Sequence, residues 1–177
     1  MEDNRLELAG AWKRSVGGRE IDFVTVPGSF APLGQCTLEV EFDRPWPAGE
    51  GRVFLVTEGV LARATFVLNG REIGSAGPWA TYRFELPPDA LQAHNVLQAH
   101  VRDIVEAFGP TPGRRFDAGL VRRIWIERRC ETFLADVAFR AELADDLSSA
   151  ACTVAVELDG PEPCPAEITL AERDTGR

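Results

Sequence analysis

The sequence has little of the chemistry from which metal and redox sites are built. It contains two histidines and four cysteines. None of them lies at the spacing of a metal site or a disulfide framework. These residues are His94, His100, Cys36, Cys130, Cys152 and Cys164. Cys36 and Cys152 fall on apolar faces of predicted strands, where a thiol usually packs. We therefore predict no metal and no cofactor.

Long apolar runs and a basic, apolar leader are also missing. No stretch approaches the roughly 20 residues of a membrane span, and the start MEDNRLELAG does not have the pattern of a signal peptide. These features predict a cytoplasmic protein without a membrane partner. A net charge of −9 and a pI near 4.8 argue against nucleic acid, and the three arginine pairs between residues 114 and 129 are interpreted as solvated.

Helical periodicity is absent as well, and period-two alternation dominates instead. Four inward rows are predicted: Cys36, Leu38, Val40 and Phe42; Ala62, Ala64, Phe66 and Leu68; Ala80, Tyr82, Phe84 and Leu86; Leu97, Ala99 and Val101. Val53–Val56 is a central strand, and Asn69-Gly70 has the composition of a type I′ turn. At least ten strands without a long helix predict an all-β sandwich.

The second half of the chain shows two further features. Residues 104–118 hold two prolines and two glycines and are predicted to be one long loop, followed by a single strand from Leu120 to Glu127. Arg122 shares the phase of Leu120 and Ile124, which predicts an inward arginine paired with an acid. Residues 131–177 supply about three strands with one apolar face, which needs a cover. The cover is the rest of a truncated sandwich, the first domain or another chain.

Six motifs follow one another between residues 6 and 127: LAGAW, VPGSF, EGVLARATFVLNGREIG, GPWATYRFEL, NVLQAHV and GLVRRIWI. Together they resemble the N-terminal sugar-binding-like domain of glycoside hydrolase family two, which includes β-galactosidases, β-glucuronidases and β-mannosidases. The resemblance implies a galactose-binding-like jelly roll for residues 1–130. It also implies that residues 131–177 are the first strands of a truncated immunoglobulin-like sandwich. In the family, a separate barrel carries both catalytic glutamates, so we predict no catalytic residue in this chain.

The candidate binding residues are Trp79, Trp46, Asp117 and Arg115. Trp46 and Trp79 lie in predicted turns, where an indole either covers the end of the sandwich, which we favour, or stacks on a sugar. The resemblance implies a polar residue directed at the barrel's sugar from the long loop, and Asp117 is the nearest candidate. Trp12 and Trp125 are predicted to be core residues.

Three hypotheses follow for the function. The first is a non-catalytic accessory domain that supports the catalytic barrel of a parent glycoside hydrolase. The second is a stand-alone carbohydrate-binding module with Trp79, Trp46, Asp117 and Arg115 at one rim. The third is a structural domain that forms homo-oligomers through residues 131–177.

Overall fold

The computed structural model describes residues 4–31, 35–47, 49, 51–102, 118–161, 163, 165 and 167–169. These residues form fourteen β-strands and no helix. The chain divides into two compact units, Met1–Arg129 and Cys130–Arg177, called the first and second unit below. The predicted long loop at 104–118 falls almost entirely outside the described residues.

The first unit contains a six-stranded and a four-stranded antiparallel sheet. The larger has the order β3-β2-β5-β10-β7-β8, and the smaller has the order β1-β12-β6-β9. Two further short strands, β4 and β11, pair with each other. The strands are β1 (Arg5–Glu7), β2 (Gly10–Val16), β3 (Arg19–Val26), β4 (Gly28–Phe30), β5 (Cys36–Asp43), β6 (Arg52–Thr57), β7 (Arg63–Leu68), β8 (Arg71–Ala76), β9 (Tyr82–Leu86), β10 (His94–Arg102), β11 (Ala118–Leu120) and β12 (Ile124–Arg129).

One hydrophobic core lies between these two sheets. The larger sheet contributes Trp12, Leu38, Phe66 and Leu97, and the smaller contributes inward residues such as Leu55. The rings of Phe66 and Phe84, one from each sheet, lie 5.9 Å apart. The all-β sandwich predicted from alternation is confirmed, as is the core role of Trp12.

The Asn69-Gly70 turn closes β7 onto β8 with φ angles of 51° and 83°, the left-handed conformation that a type I′ turn requires. The Asn69 side chain also ties this hairpin to its neighbours. Its Nδ2 donates to the Ala90 carbonyl and to Asn95 Oδ1, and its Oδ1 accepts from the Val96 amide, each at 2.9 Å. The turn therefore fixes the position of the segment that enters β10.

Gly74 lies inside β8. A Cβ at this position would lie 2.5 Å from two ring carbons of Phe84. The absence of a side chain therefore makes room for the Phe84 ring rather than for a turn.

The prediction of one strand over Leu120–Glu127 is wrong, because Val121–Arg123 interrupts it between β11 and β12. The break changes the phase, so Arg122 is exposed and is not the inward arginine that alternation predicted. The buried charged residue on this segment is instead Glu127, an acid that pairs with arginines.

The second unit contains two long paired strands, β13 (Phe133–Leu143) and β14 (Ala150–Asp159). A β-bulge lies between Leu134 and Asp136. The bulge shifts the phase of alternation, so Leu134 and Val137 lie on the same apolar face. Glu167–Thr169 lies outside any strand, although a third strand was predicted there, and Cys152 is exposed rather than packed.

Candidate functional site

One end of the first unit is built from four short segments that belong to four of the six motifs. β4 pairs with β11, and Val60 forms β-bridges with both Pro78 and Leu120. Backbone hydrogen bonds of 3.0 Å join Leu61 to Gly119 and Val121 to Gly59. We call this group, residues 28–30, 59–61, 78–79 and 118–121, the end cluster.

The segments approach so closely that a side chain would not fit at Gly119. Its φ is 150°, and a Cβ there would overlap the carbonyl oxygen of Gly28. Glycine is needed where one backbone passes directly over another. The glycines of these motifs thus position the end cluster rather than serve as flexible hinges.

Trp79 projects from the end cluster into solvent. Its backbone is left-handed, with φ of 60°, and its amide donates to the Val60 carbonyl at 3.2 Å. The residue is 64% exposed. A bulky residue in this conformation costs about 1–3 kcal/mol, so the backbone of the end cluster holds Trp79 in an unfavourable conformation. The exposure also excludes the favoured hypothesis that Trp79 covers the sandwich.

Tyr82 lies close to the base of the Trp79 turn. Its hydroxyl is 3.0 Å from the position that a Cβ on Gly77 would occupy, and its ring stacks nearly parallel to that of Phe84 at 6.1 Å. Among the residues that the structure describes, the Tyr82 hydroxyl has no hydrogen-bond partner. Alternation predicts an inward position for Tyr82 but gives no signal for the role of its hydroxyl.

Trp46 is only 8% exposed and belongs to the hydrophobic core cluster. The guanidinium of Arg128 lies 5.7 Å from its ring, so Trp46 is at the end of β12 that lies away from the end cluster. Burial and position do not fit a sugar-stacking role beside Trp79, and Trp46 covers the other end of the sandwich. Asp117 and Arg115 lie outside the described residues.

A second group of interacting polar and aromatic side chains lies on the outer face of the four-stranded sheet. Trp125 and Glu127 alternate outward from β12, and both are buried. Trp125 Nε1 donates to Glu127 Oε2 at 2.9 Å, and the guanidinium of Arg5 lies 4.2 Å from the Trp125 ring centre. Arg129 and Arg83 reach Glu127 Oε1 at 2.7 and 3.2 Å. We call this group the arginine-covered face.

Glu127 remains ionised in this setting. Burial alone would raise its pKa, but hydrogen bonds from Arg129 and Trp125, with the charges of Arg129 and Arg83, outweigh burial and lower the pKa. Arg123 likewise lowers the pKa of Glu58, and Lys13 with Gln98 lowers that of Glu39. A general acid at neutral pH needs the opposite shift, so these carboxyls are poor proton donors.

The two histidines make side-chain contacts on the outer face of the six-stranded sheet. His94 contacts Asp43 at 2.9 Å and Glu41 at 3.3 Å, and these carboxylates raise the pKa of its imidazole. His100 lies 2.9 Å from Thr37 Oγ1. Within the described part of the chain, no group of three or more His, Cys, Asp or Glu residues could hold a metal ion, and no helix could span a membrane.

Comparison with known proteins gives structural matches alone. No protein-family model and no curated protein sequence matches the chain. A β-glycosidase from Bacteroides vulgatus superposes with a TM-score of 0.73 at 16% identity, covering 89% of this chain and 24% of that chain. A β-glucuronidase from Bifidobacterium dentium in complex with coumarin-3-O-glucuronide gives 0.68 at 20% identity, covering 90% and 37%.

A family two β-galacturonidase from Eisenbergiella tayi bound to galacturonate gives 0.68 at 19% identity, covering 87% of this chain and 29% of that chain. The chain has the fold of part of these glycosidases. The resemblance to glycoside hydrolase family two, predicted from six motifs, is thereby confirmed at the level of the fold. The chain spans only 24–37% of the length of the solved structures named here.

Proposed function

We propose that this chain is a non-catalytic accessory domain of a family two glycoside hydrolase, and that it supports a separate catalytic barrel of the same parent protein. The observation that carries the proposal is structural. About nine tenths of the chain superposes on glycosidases at TM-scores up to 0.73, yet it corresponds to about a third or less of their length. A domain of this kind contributes shape and support to an active site located elsewhere.

The electrostatics of the first unit agree with this role. Retaining glycoside cleavage needs two carboxyls about 5–5.5 Å apart, one of them an acid with a raised pKa. Glu39, Glu58 and Glu127 each have a lowered pKa because a basic side chain is bonded to them. These carboxylates stabilise strands and do not resemble an acid/base pair.

The second unit fits the same proposal as the beginning of an immunoglobulin-like sandwich. The match to the Eisenbergiella tayi enzyme covers 87% of the chain, about 154 residues, which is more than the first unit alone contains. The match therefore extends into the second unit. One apolar face of this hairpin lines a groove of about 500 Å³, which further strands of a parent chain would cover.

Expression of the reading frame as it occurs in its gene tests the proposal. We expect the complete product to hydrolyse a nitrophenyl β-glycoside from a panel of galactoside, glucuronide, galacturonide and mannoside. The 177-residue chain alone should hydrolyse none of them. Hydrolysis by the isolated chain, or a reading frame that encodes no barrel, would contradict the accessory role.

One observation favours a second candidate, self-association through the second unit. Val137, Phe139 and Leu143 are all about half or more exposed and lie on the same face of β13. Sedimentation of the chain should show a concentration-dependent dimer if this face pairs with a second copy, and Phe139→Lys should abolish it. A monomer at all concentrations would exclude this candidate.

A further inference from the structure

The exposed tryptophan of the end cluster is held rigidly by its backbone. Its amide is bonded to the Val60 carbonyl, and the preceding residue, Pro78, forms a β-bridge with Val60. Val60 is fully buried and forms a second bridge with Leu120, which is also fully buried. The backbone that carries the indole is therefore fixed, and a ligand needs to order only the two side-chain torsions of Trp79.

The surroundings of the indole suit a small ring ligand better than a protein surface. Its sequence neighbours Gly77, Pro78, Ala80 and Thr81 have small side chains. Within the described part of the first unit, the other exposed large apolar side chains are Ile21 and Phe23, both on β3. A protein interface needs an extensive patch with a buried apolar centre, which a single indole does not supply.

We propose that Trp79 is a stacking platform for the pyranose ring of a glycoside, with the Tyr82 hydroxyl as a hydrogen-bonding partner for a ring substituent. The C–H groups on one face of a pyranose carry partial positive charge and match the negative face of an indole. The ligand class rests on the proposed function, while the exposed indole, its left-handed backbone and the adjacent hydroxyl are independent of it.

Acrylamide quenching of tryptophan fluorescence isolates this residue, because Trp12, Trp46 and Trp125 are buried. Methyl β-glycosides of galactose, glucuronate, galacturonate and mannose are titrated into the 177-residue chain up to millimolar concentrations. We expect at least one to lower the quenching constant roughly twofold, since stacking on one face shields about half of the indole. Unchanged quenching with every sugar overturns the proposal.

Substitutions then assign the effect, with saturation-transfer NMR of the sugar as the readout. Trp79→Asn should abolish the transfer signal while raising Tm, because asparagine tolerates the left-handed backbone better than tryptophan. Tyr82→Phe retains the ring stacking and should weaken affinity roughly three- to tenfold. The matched control is Phe23→Ala, which removes a side chain of nearly equal exposure, 63%, from β3 and should change nothing.

A signal that persists in Trp79→Asn, or that disappears in Phe23→Ala, contradicts the platform. If sugars leave quenching unchanged but the separately purified barrel of the parent protein lowers it, Trp79 is a protein contact and the proposal is wrong. These outcomes are separable from the accessory-domain proposal. Sugar binding by the chain does not require a barrel, and a barrel in the reading frame does not require Trp79 to bind sugar.

Discussion

The two units share the same alternating pattern of apolar residues, but they bury those apolar side chains to very different extents. In the first unit, the alternating row Ala64, Phe66 and Leu68 is fully or almost fully buried between two sheets. In the second, Val137 and Phe139 alternate just as regularly, and Phe139 is 59% exposed. Alternation therefore specifies which side chains share a face, and a second layer of strands determines whether that face becomes a core.

The largest expected effect is a direct test of this contrast with one substitution in each unit. Phe66→Ala should lower the free energy of unfolding of the first unit by about 3–5 kcal/mol, because it leaves a cavity against Phe84. Phe139→Ala should change stability by less than about 0.5 kcal/mol. Urea unfolding followed by tryptophan fluorescence reports the first unit, which contains all four tryptophans, and circular dichroism reports the strands of both units.

A large loss from Phe139→Ala would show that its face is covered in solution, and the contrast would disappear. A substitution of comparable size that keeps the surface apolar, Phe139→Leu, provides the control for lost β-propensity.

A smaller effect is expected where the two units carry ion pairs. Glu127→Gln should cost about 1.5–3 kcal/mol, because Arg129, Arg83 and Trp125 lose a charged acceptor in a buried position. Glu142→Gln in the second unit removes an exposed pair with Arg140 and should cost at most about 0.5 kcal/mol. Thermal unfolding at low and high salt separates them, and equal losses would contradict the difference in burial.

Substitutions that add side-chain volume also compare the packing of the two units. Gly74→Ala forces a methyl group against the Phe84 ring and should cost about 1–3 kcal/mol. Ala138→Val adds more volume on an exposed strand position of the second unit and should be neutral or slightly favourable. The double variant Gly74→Ala with Phe84→Leu should recover part of the loss, and a neutral Gly74→Ala would show that β8 and β9 are loosely packed.

The smallest effect is a difference in the response to pH. The pKa of His94 is raised by Asp43 and Glu41, so its stabilisation is complete below its unfolded pKa and is lost as pH rises through the folded pKa. The pKa of Asp146 in the second unit is lowered by hydrogen bonds from Ser148, so its stabilisation is lost as pH falls.

His94→Gln should therefore lower Tm more at about pH 5.5 than at about pH 8.5, and Asp146→Asn should do so more at neutral pH than in acid. Thermal scans of both variants beside the wild type provide the measurement. A His94 effect that grows with pH would show that the two carboxylates do not stabilise the imidazolium.

Much of the fold was predictable because inward rows, the Asn69-Gly70 turn and the order of motifs are local properties of the chain. The errors arose where local phase changes. The break at Val121–Arg123 moved Arg122 outward, and the bulge at Ala135 moved Leu134 onto the apolar face. Neither a break nor a bulge leaves a clear composition signal, since each depends on which strand lies alongside.

The candidate site was less predictable, because exposure of a turn residue depends on what folds over it. Trp46 and Trp79 occur in similar proline-containing turns, yet one is buried beside Arg128 and the other projects from the end cluster. The arginine-covered face had a usable signal, since Trp125, Glu127 and Arg129 alternate on β12. A carboxylate flanked by an indole and a guanidinium on one strand face indicates a network rather than a solvated edge.

The hydrogen bonds of the Asn69 side chain should also slow its deamidation. In an asparagine followed by glycine, the next backbone nitrogen can attack the side-chain amide carbon and expel ammonia, and water then opens the resulting cyclic imide to an acid. In the folded protein that amide nitrogen is held by the Ala90 carbonyl and Asn95 Oδ1. An unfolded molecule has no such restraint, and an acid formed there would face these same oxygens on refolding. Prolonged incubation in the unfolded state should therefore make unfolding irreversible, because a growing fraction of the molecules can no longer refold.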